Sequence, residues 1–324
     1  MLTYIVRRML YSVVVLIVAS FLVFSGVSYV SDPLAFVKMQ PRFSPQTIEN
    51  ITERKHLDEP IPVRYVYWAK DALTNQFGTY VLSDKPILPD ITRVMGHTAQ
   101  LVIIAELMAV LVAILIGVYS ALRQYSVVDY ATTTFSFVGL ATPVFWLALM
   151  LQVLFINIYL WFDVRIFYTA NLQGVDPGTG VHWVLDRVQH LALPWLVLMV
   201  ASVATYSRYM RASMLEVVNS DYVRTARAKG LTEKKVTVRH AFRNALIPLV
   251  TIVALNFGAL LSGAVVTETV FGLDGMGLYF IRNLQLGDPY PIMAWLMITA
   301  TIVIVFNLIA DIAYGFLDPR VRYD

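Results

Sequence analysis

The sequence predicts an all-α integral membrane protein with six transmembrane helices. Only 15% of its 324 residues are charged, whereas a soluble domain carries about a quarter. Four stretches contain no charged residue, and each is long enough to cross a ~30 Å hydrocarbon core as a helix of roughly 20 residues. They are residues 9–31, 130–162, 244–267 and 289–310. Two weaker stretches, 98–122 and 191–207, complete the set.

Helices are expected because lipid offers no partner to unpaired backbone groups, and the alternating segments of a membrane barrel are not seen. The first stretch follows Arg7 and Arg8, as in a signal peptide. Its apolar run is 22 residues long, however, and Ser28-Tyr29-Val30 is a poor cleavage site. We therefore predict a first helix that is retained. The absence of cysteine excludes disulfides, thiolate metal sites and cysteine nucleophiles.

The charges predict the orientation. Segments on the side of the N-terminus carry fourteen Lys or Arg residues, and the two short loops on the other side carry three. Basic residues near span ends favour the cytoplasm, and long loops contribute little. Both termini are therefore predicted to be cytoplasmic. The three basic residues of the outer loops are Arg165, Arg187 and Arg282, and the fourteen include Arg320 and Arg322 in the C-terminal tail.

The outer loop 32–97 is too long for a simple connection. Ser44 is a predicted N-cap before Pro45, opening a helix to about Lys55, and 63–73 predicts a second helix. The second outer loop has a turn at 176–178, and the third is predicted to be compact and rich in turns. In the inner loop 209–244, Asp221 is the predicted cap of a short helix that Gly230 ends in a left-handed conformation. Thr232 would cap a second helix, from Glu233 into Phe242.

Residues 221–250 read DYVRTARAKGLTEKKVTVRHAFRNALIPLV. This segment resembles the cytoplasmic signature of permease subunits in type I ATP-binding-cassette importers, specifically the dipeptide and oligopeptide branch. The general family has Glu-Ala-Ala six residues before the glycine, where this chain has Arg-Thr-Ala at 224–226. The branch's own form, Arg-Thr-Ala-Arg-Ala-Lys-Gly-Leu, is matched at 224–231, and its longer spacing to Ile247-Pro248 is matched too. The resemblance extends to 7–8, 57–60, 214–217, 263–271, 311–315 and 318–320.

The resemblance implies a permease core at 94–317, an additional helix and extracytoplasmic loop at 1–93, and a cytoplasmic tail at 318–324. It implies that the protein lies in the bacterial cytoplasmic (inner) membrane in contact with lipid, and that nucleic acid is not a partner. The implied partners are a second, homologous permease, two cytoplasmic ATPases that bind ATP and Mg, and an extracytoplasmic peptide-binding protein. This chain would hold no cofactor. Peptides are the implied substrate, although relatives in the branch carry nickel, glutathione or sugars.

The coupling helix implied at about 222–230 would dock in a cleft of an ATPase. Small residues would allow close backbone approach, and basic residues would donate to carboxylates or carbonyls. The alternative is a solvated basic loop that fixes orientation or touches anionic lipid. The residues predicted to couple are Tyr222, Arg224, Thr225, Ala226, Arg227, Lys229, Gly230 and Leu231.

Polar groups within spans are candidates for function. Glu106 lies near mid-membrane, where it either faces the translocation path or is a packed structural carboxyl. Glu268 is expected near the outer end of the fifth span, beside the gate, and Asp311 is expected to have a structural partner. The fifth span is rich in small residues that allow close packing. From these features we predict path or gate residues at Glu106, Asn256, Gly258 and Glu268.

Other classes are less well supported by the sequence. It has no Gly-x-x-x-x-Gly-Lys-Ser/Thr phosphate loop and no His-Glu-x-x-His motif, and its five histidines are scattered. Gly-Leu-Asp-Gly at 272–275 is similar to a motif of intramembrane aspartyl proteases, but Asp274 has no partner aspartate within a span. A secondary transporter would need its own ion site and usually an internal repeat, and neither is seen. A scaffold or receptor is the third alternative.

Overall fold

The computed structural model describes residues 2–30, 32–38, 43–74 and 77–317. These residues form helices and irregular connections, with one isolated β-bridge between Thr79 and Pro86. The helices are α1 (Leu2–Val30), α2 (Ala35–Lys38), α3 (Pro45–Arg54), α4 (Ile61–Thr74), α5 (Ile87–Leu122), α6 (Val127–Ala141), α7 (Val144–Phe162), α8 (Val181–Val218), α9 (Asp221–Ala228), α10 (Glu233–Lys235), a π-helical segment (Val236–Phe242), α11 (Arg243–Leu261), α12 (Val265–Phe271), α13 (Met276–Leu286) and α14 (Pro289–Leu317).

Six helical segments in the described part of the chain are long and apolar enough to cross a membrane, which agrees with the predicted number. They are Val6–Val30, Ile87–Leu122, Val144–Phe162, Val181–Val218, Glu233–Leu261 and Pro289–Ala313. Their lengths range from 19 to 38 residues, and 20 residues of α-helix span about 30 Å.

Two predicted spans were wrong in their extent. The charge-free stretch 130–162 is divided between α6 and α7 at Pro143, whose ring and missing N–H prevent a continuous helix. The fifth span ends at Leu261, before Gly263, which adopts φ +135°. Apolar composition alone does not reveal these ends, because a break inside the membrane region is as apolar as the helix around it.

The described chain divides into two compact units. The first comprises the described residues within 1–98, 261–265 and 274–304, and the second comprises those within 99–260, 266–273 and 305–317. The predicted boundary at 93/94 lies inside the continuous helix α5. The predicted tail 318–324, with Arg320, Arg322 and the Asp318-Pro319-Arg320 match, lies outside the described residues.

The predicted helices of the long loop are present in the first unit. Ser44 caps α3, because its hydroxyl oxygen accepts the N–H of Thr47, and Pro45 occupies the first turn. The second predicted helix begins at Ile61 rather than Val63, since Pro62 is tolerated in a first turn. The face of α4 that carries Trp68 packs on α1 and the start of α5 in one apolar core. Its fully buried members include Phe24, Val81, Ile87, Ile91, Val94 and Met276.

The loop before α14 also contains structure that the sequence did not predict. The glycines of 272–287 indicated turns, but residues 276–286 form α13. Gly263 and Gly277 lie back to back, since a Cβ on Gly263 would lie 2.7 Å from the Gly277 nitrogen. A Cβ on Gly277 would lie 2.6 Å from the Val265 Cα. These glycines therefore serve close backbone packing and not only turns.

Candidate coupling site

The short helix α9 connects two long helices of the second unit. Helix α8 ends at Val218, and Asn219 and Ser220 lead directly into α9. The helix begins one residue earlier than predicted, so Ser220 and not Asp221 is its N-cap residue. The Ser220 hydroxyl donates to the Val217 carbonyl (2.6 Å) and makes no capping bond. Asp221 therefore lies in the first helical turn, where its negative charge interacts favourably with the positive end of the helix dipole.

Gly230 follows α9 in the left-handed conformation that the sequence predicted, with φ +78°. The Gly230 N–H donates to the Arg227 carbonyl (2.9 Å), which satisfies one group at the helix end. A Cβ at this position would have no heavy atom within 4 Å. The requirement for glycine thus comes from the backbone conformation and not from crowding.

One face of α9 is buried in the core of its own unit. Val223 is fully buried and Ala226 is 6% exposed, and both join a cluster with residues of α8, the π-helical segment and α11. Leu231 packs at the edge of the same cluster. Ala226 had been predicted to allow approach by a partner, but in this chain it packs inward. The helix is therefore fixed on the bundle by its small and apolar residues.

The opposite face of α9 is exposed and mainly basic. Tyr222, Arg224, Thr225 and Arg227 lie on it, and the exposed Lys229 follows at the C-cap. Asp221, also exposed, pairs with Arg224 (3.7 Å). Arg227 Nε donates to Glu233 Oε1 (3.0 Å), and Tyr222 Oη accepts from Asn244 (3.0 Å). Because these two contacts reach α10 and α11, the loop is held in shape without covering its basic face.

The return from α9 to the membrane is helical and includes one irregular turn. Thr232 precedes α10 as predicted, although its side chain makes no capping bond. The helix then widens into the π-helical segment before it continues as α11. Such turns are rare, and they occur frequently at functional sites.

Glu106 belongs to a buried polar network that joins three helices of the second unit. Its carboxylate accepts from Ser202 Oγ (2.6 Å) and Tyr206 Oη (2.7 Å), both on α8. The amide of Asn256 on α11 donates to the same tyrosine hydroxyl (2.6 Å). Glu106 is 1% exposed. In this conformation its geometry is that of a packed structural carboxyl, and a role in the path remains a prediction.

The other predicted path residues are separated by the break after Leu261. Gly258 is buried within α11. The prediction that Glu268 lies in the fifth span was wrong. Glu268 lies in the separate short helix α12, where it is fully buried. Asp311 is half-buried in α14 and has an interaction partner. Their functional roles likewise remain predictions.

The sequence analysis missed a second buried network. Asp129 on α6 accepts from Arg211 Nε (2.6 Å) and from the Arg211 terminal nitrogen (2.9 Å), and it also contacts the Ser120 hydroxyl. The available signal was an aspartate three residues after Ser126, which caps α6. In the sequence this aspartate has the features of any acidic residue in the first turn of a helix. Its arginine partner is 82 residues away, so the pairing is not visible in the sequence.

Two family models match most of the chain. The model of the binding-protein-dependent transport system inner membrane component matches residues 113–323, and the model of the N-terminal part of such membrane components matches residues 1–89. The chain belongs to this family. This permease is thus an integral inner membrane protein.

Curated relatives match the permease over its full length. It is 37% identical to the oligopeptide transport system permease AppB of Bacillus subtilis and 36% identical to the dipeptide transport system permease DppB of Alkalihalophilus pseudofirmus, with 100% of each chain covered. It is 35% identical to the oligopeptide permease OppB of Mycobacterium bovis, with 98% of each chain covered. Among solved structures, the inward-facing methionine transporter MetNI matches with a TM-score of 0.55. That match covers 72% of the permease and 99% of the other chain at 13% identity, so it shows the fold alone.

Proposed function

We propose that this permease forms the translocation path of an ATP-driven, binding-protein-dependent importer of dipeptides or oligopeptides. The single observation that supports this most is α9, which buries Val223 and Ala226 in its own bundle and leaves a basic face exposed. A helix of this kind is suited to docking on another protein. The names of the full-length relatives, which include dipeptide and oligopeptide permeases, support the substrate class.

The proposed complex contains a second, homologous permease, two ATPases and an extracytoplasmic peptide-binding protein. The ATPases would bind ATP and Mg, and this chain, whose sequence has no phosphate-binding loop motif, would contribute no ATPase site and hold no cofactor. The excess of Lys and Arg on the side of α9 supports cytoplasmic termini. The docking surface would then face the ATPases.

Coupling would proceed through rigid connections. When the ATPases close around ATP, they would displace α9. Asn219 and Ser220 connect this helix to α8, and residues 229–232, α10 and the π-helical segment connect it to α11. The two long helices would tilt and open the path outward. Hydrolysis would return them. The basic residues Arg224 and Lys229 would hold α9 in the ATPase cleft by charge-assisted hydrogen bonds.

Uptake by a reconstituted complex tests this function. The permease is assembled in proteoliposomes with its partner permease and ATPases, and labelled oligopeptide is supplied with the binding protein. We expect uptake that requires both ATP and the binding protein and that a proton ionophore does not abolish. Uptake driven by an ion gradient without ATP would instead identify a secondary transporter and overturn the proposal.

A further inference from the structure

The buried ion pair of Asp129 and Arg211 joins the start of α6 to the end of α8. Both carboxylate oxygens are engaged by the guanidinium, at 2.6 and 2.9 Å, in the two-pronged geometry that arginine forms and lysine does not. Arg211 Nε also lies 3.1 Å from Ser120 Oγ on α5. The Tyr125 backbone N–H donates to the same carboxylate at 2.9 Å. One carboxylate thus links three helices.

The carboxylate of the pair is protected from water, and the guanidinium is partly buried. Asp129 is 3% exposed and Ser120 is fully buried, while the Arg211 side chain is 27% exposed. A charge in such a place is costly unless it is paired and hydrogen-bonded. Buried ion pairs are nevertheless a weak source of stability, since well-packed apolar residues often serve as well or better. What the pair adds is a fixed angle and register between helices.

The neighbouring contacts make this region a closely packed block. A Cβ on Gly117 of α5 would lie 2.7 Å from the Cβ of Met210 on α8. A Cβ on Gly139 of α6 would lie 3.0 Å from the Cβ of Ala204 on α8. Helices that approach so closely cannot slide without separating. The ion pair lies at one end of this block.

Arg211 lies seven residues before the end of α8, which is about 10 Å along the helix. The chain then passes through two residues into α9. Any displacement of α9 must therefore act on α8 close to the ion pair. If α8 were not fixed to α6 there, the displacement would bend the end of α8 and would not move the bundle.

We infer that Asp129 and Arg211 are positioning residues that make α6 and α8 move together when α9 is displaced. This inference rests on the proposed function. It assigns to the pair a role in coupling, in addition to its contribution to folding. The pair would not contact substrate or nucleotide.

Reconstituted complexes test the inference through the number of peptides imported per ATP hydrolysed. The first variant is Arg211→Lys, which keeps the charge but loses the two-pronged contact. The second is the double variant Asp129→Asn/Arg211→Gln, which leaves no unpaired charge and removes the guanidinium link. The matched control is Arg208→Lys, one turn earlier on α8, where the exposed guanidinium lies over the Phe137 ring at 4.9 Å.

We expect both variants to assemble and to hydrolyse ATP, with the peptide-to-ATP ratio lowered about tenfold, within the range by which single residues modulate coupling. The control should keep the wild-type ratio. An unchanged ratio in both variants would overturn the inference, and so would a loss of assembly in both, because the pair would then serve folding alone. Failure of the proposed function is separable, since it would appear as absent ATP-dependent uptake in the wild-type complex.

Discussion

At the scale of single residues, the permease places a few polar groups where several helices meet. Glu106, Tyr206 and Asn256 form a chain of hydrogen bonds across α5, α8 and α11. In lipid the apolar surfaces of helices give little preference for one arrangement, so polar contacts and close packing specify it. Each member of the network is satisfied by the others, and the loss of one donor leaves a buried acceptor unpaired.

Tyr206→Phe is expected to destabilise the isolated permease by about 1–3 kcal/mol, because Glu106 loses a donor and Asn256 loses an acceptor. Thermal unfolding in detergent measures the effect. Tyr209→Phe is the matched control, since Tyr209 lies on the same helix and is 47% exposed. Equal unfolding midpoints for the two variants would show that the network does not stabilise the fold.

Asp288 gives the first unit a pH-dependent contact. Its carboxylate accepts the N–H groups of Val81 (2.9 Å) and Tyr290 (3.1 Å), and burial raises its pKa to about 6. Its charged neighbour is Lys55, and tyrosines of the same unit, including Tyr80, also interact with it. A buried carboxyl with a raised pKa binds its proton more tightly in the folded chain than in the unfolded chain.

The folded protein should therefore gain stability as the pH falls through about 6. Between this pH and the ordinary pKa of 3.8, the folded chain binds the proton and the unfolded chain does not. The full pKa difference corresponds to about 3 kcal/mol. Asp288→Asn removes the titrating group, but its single amide oxygen can accept only one of the two N–H groups. We therefore expect the unfolding temperature of this variant, relative to that of the wild type, to fall from pH 7.5 to pH 5, because only the wild type gains stability over this range.

The control for this titration is Asp58→Asn, at an exposed position of the same unit. Its unfolding midpoint should differ from that of the wild type by the same amount at both pH values. If the gap between Asp288→Asn and the wild type did not change with pH, the titrating carboxyl would have to be sought elsewhere.

At the scale of elements, α9 works because its two ends are firmly connected. It has only eight residues, too few for a helix that is stable by itself in water. The burial of Val223 and Ala226 and the contact from Arg227 to Glu233 hold it in place. Gly230 then allows the chain to turn sharply toward α10.

Gly230→Val is expected to abolish uptake and transport-linked ATP hydrolysis while leaving membrane insertion intact. A side chain at φ +78° costs about 1 kcal/mol or more for any L-residue, and more for a β-branched one. Because no heavy atom beyond the adjacent residues lies within 4 Å of the added Cβ, the damage should be confined to the course of the loop.

The control is Gly180→Val. Gly180 also has positive φ (+62°) and open space around the added Cβ, but it lies at the start of α8, far along the chain from α9. Normal uptake by the Gly230 variant would contradict the proposed coupling role. Loss of uptake by both variants, with poor membrane insertion, would indicate a folding defect shared by strained glycines.

At the scale of the whole molecule, the described residues of the long loop 32–97 belong to the first unit. Aromatic side chains in an outer loop admit two interpretations: they belong to a cap that faces the binding protein, or they anchor at the lipid headgroups. Trp68 is 3% exposed and lies against Phe24 of α1, and the hydroxyl of Tyr65 lies 2.8 Å from Ser20 Oγ. These two aromatics therefore pack on protein. Val66 and Tyr67, at 64% and 43% exposed, remain outward.

We predict that the outward face of α4 contacts the binding protein, because apolar side chains gathered on a surface indicate an interaction site. Val66→Glu should lower the stimulation of ATP hydrolysis by the binding protein about tenfold, without changing basal hydrolysis. A tenfold effect corresponds to a loss of about 1.4 kcal/mol of binding free energy. The control is Glu49→Gln, at an exposed position on α3. Wild-type stimulation in the Val66 variant would show that the outward face of α4 does not contact the binding protein.

The sequence by itself determined the class of protein and the position of the signature. Hydrophobic length fixes the number of spans, because lipid admits only segments of sufficient length with satisfied backbones. Local rules also located the Ser44 cap and the left-handed Gly230, since both depend on neighbours within a few residues. The family resemblance rested on a contiguous segment and needed no contact between distant residues.

Only the tertiary structure decided where the spans end and which polar groups meet. The end of α11 at Leu261 and the burial of Glu268 in α12 depend on packing between segments that are equally apolar in sequence. The pairing of Asp129 with Arg211 joins residues 82 positions apart, and hydropathy carries no information about such a distance. The inward orientation of Ala226 was also decided by the tertiary structure, because the surrounding helices determine which side of α9 is buried.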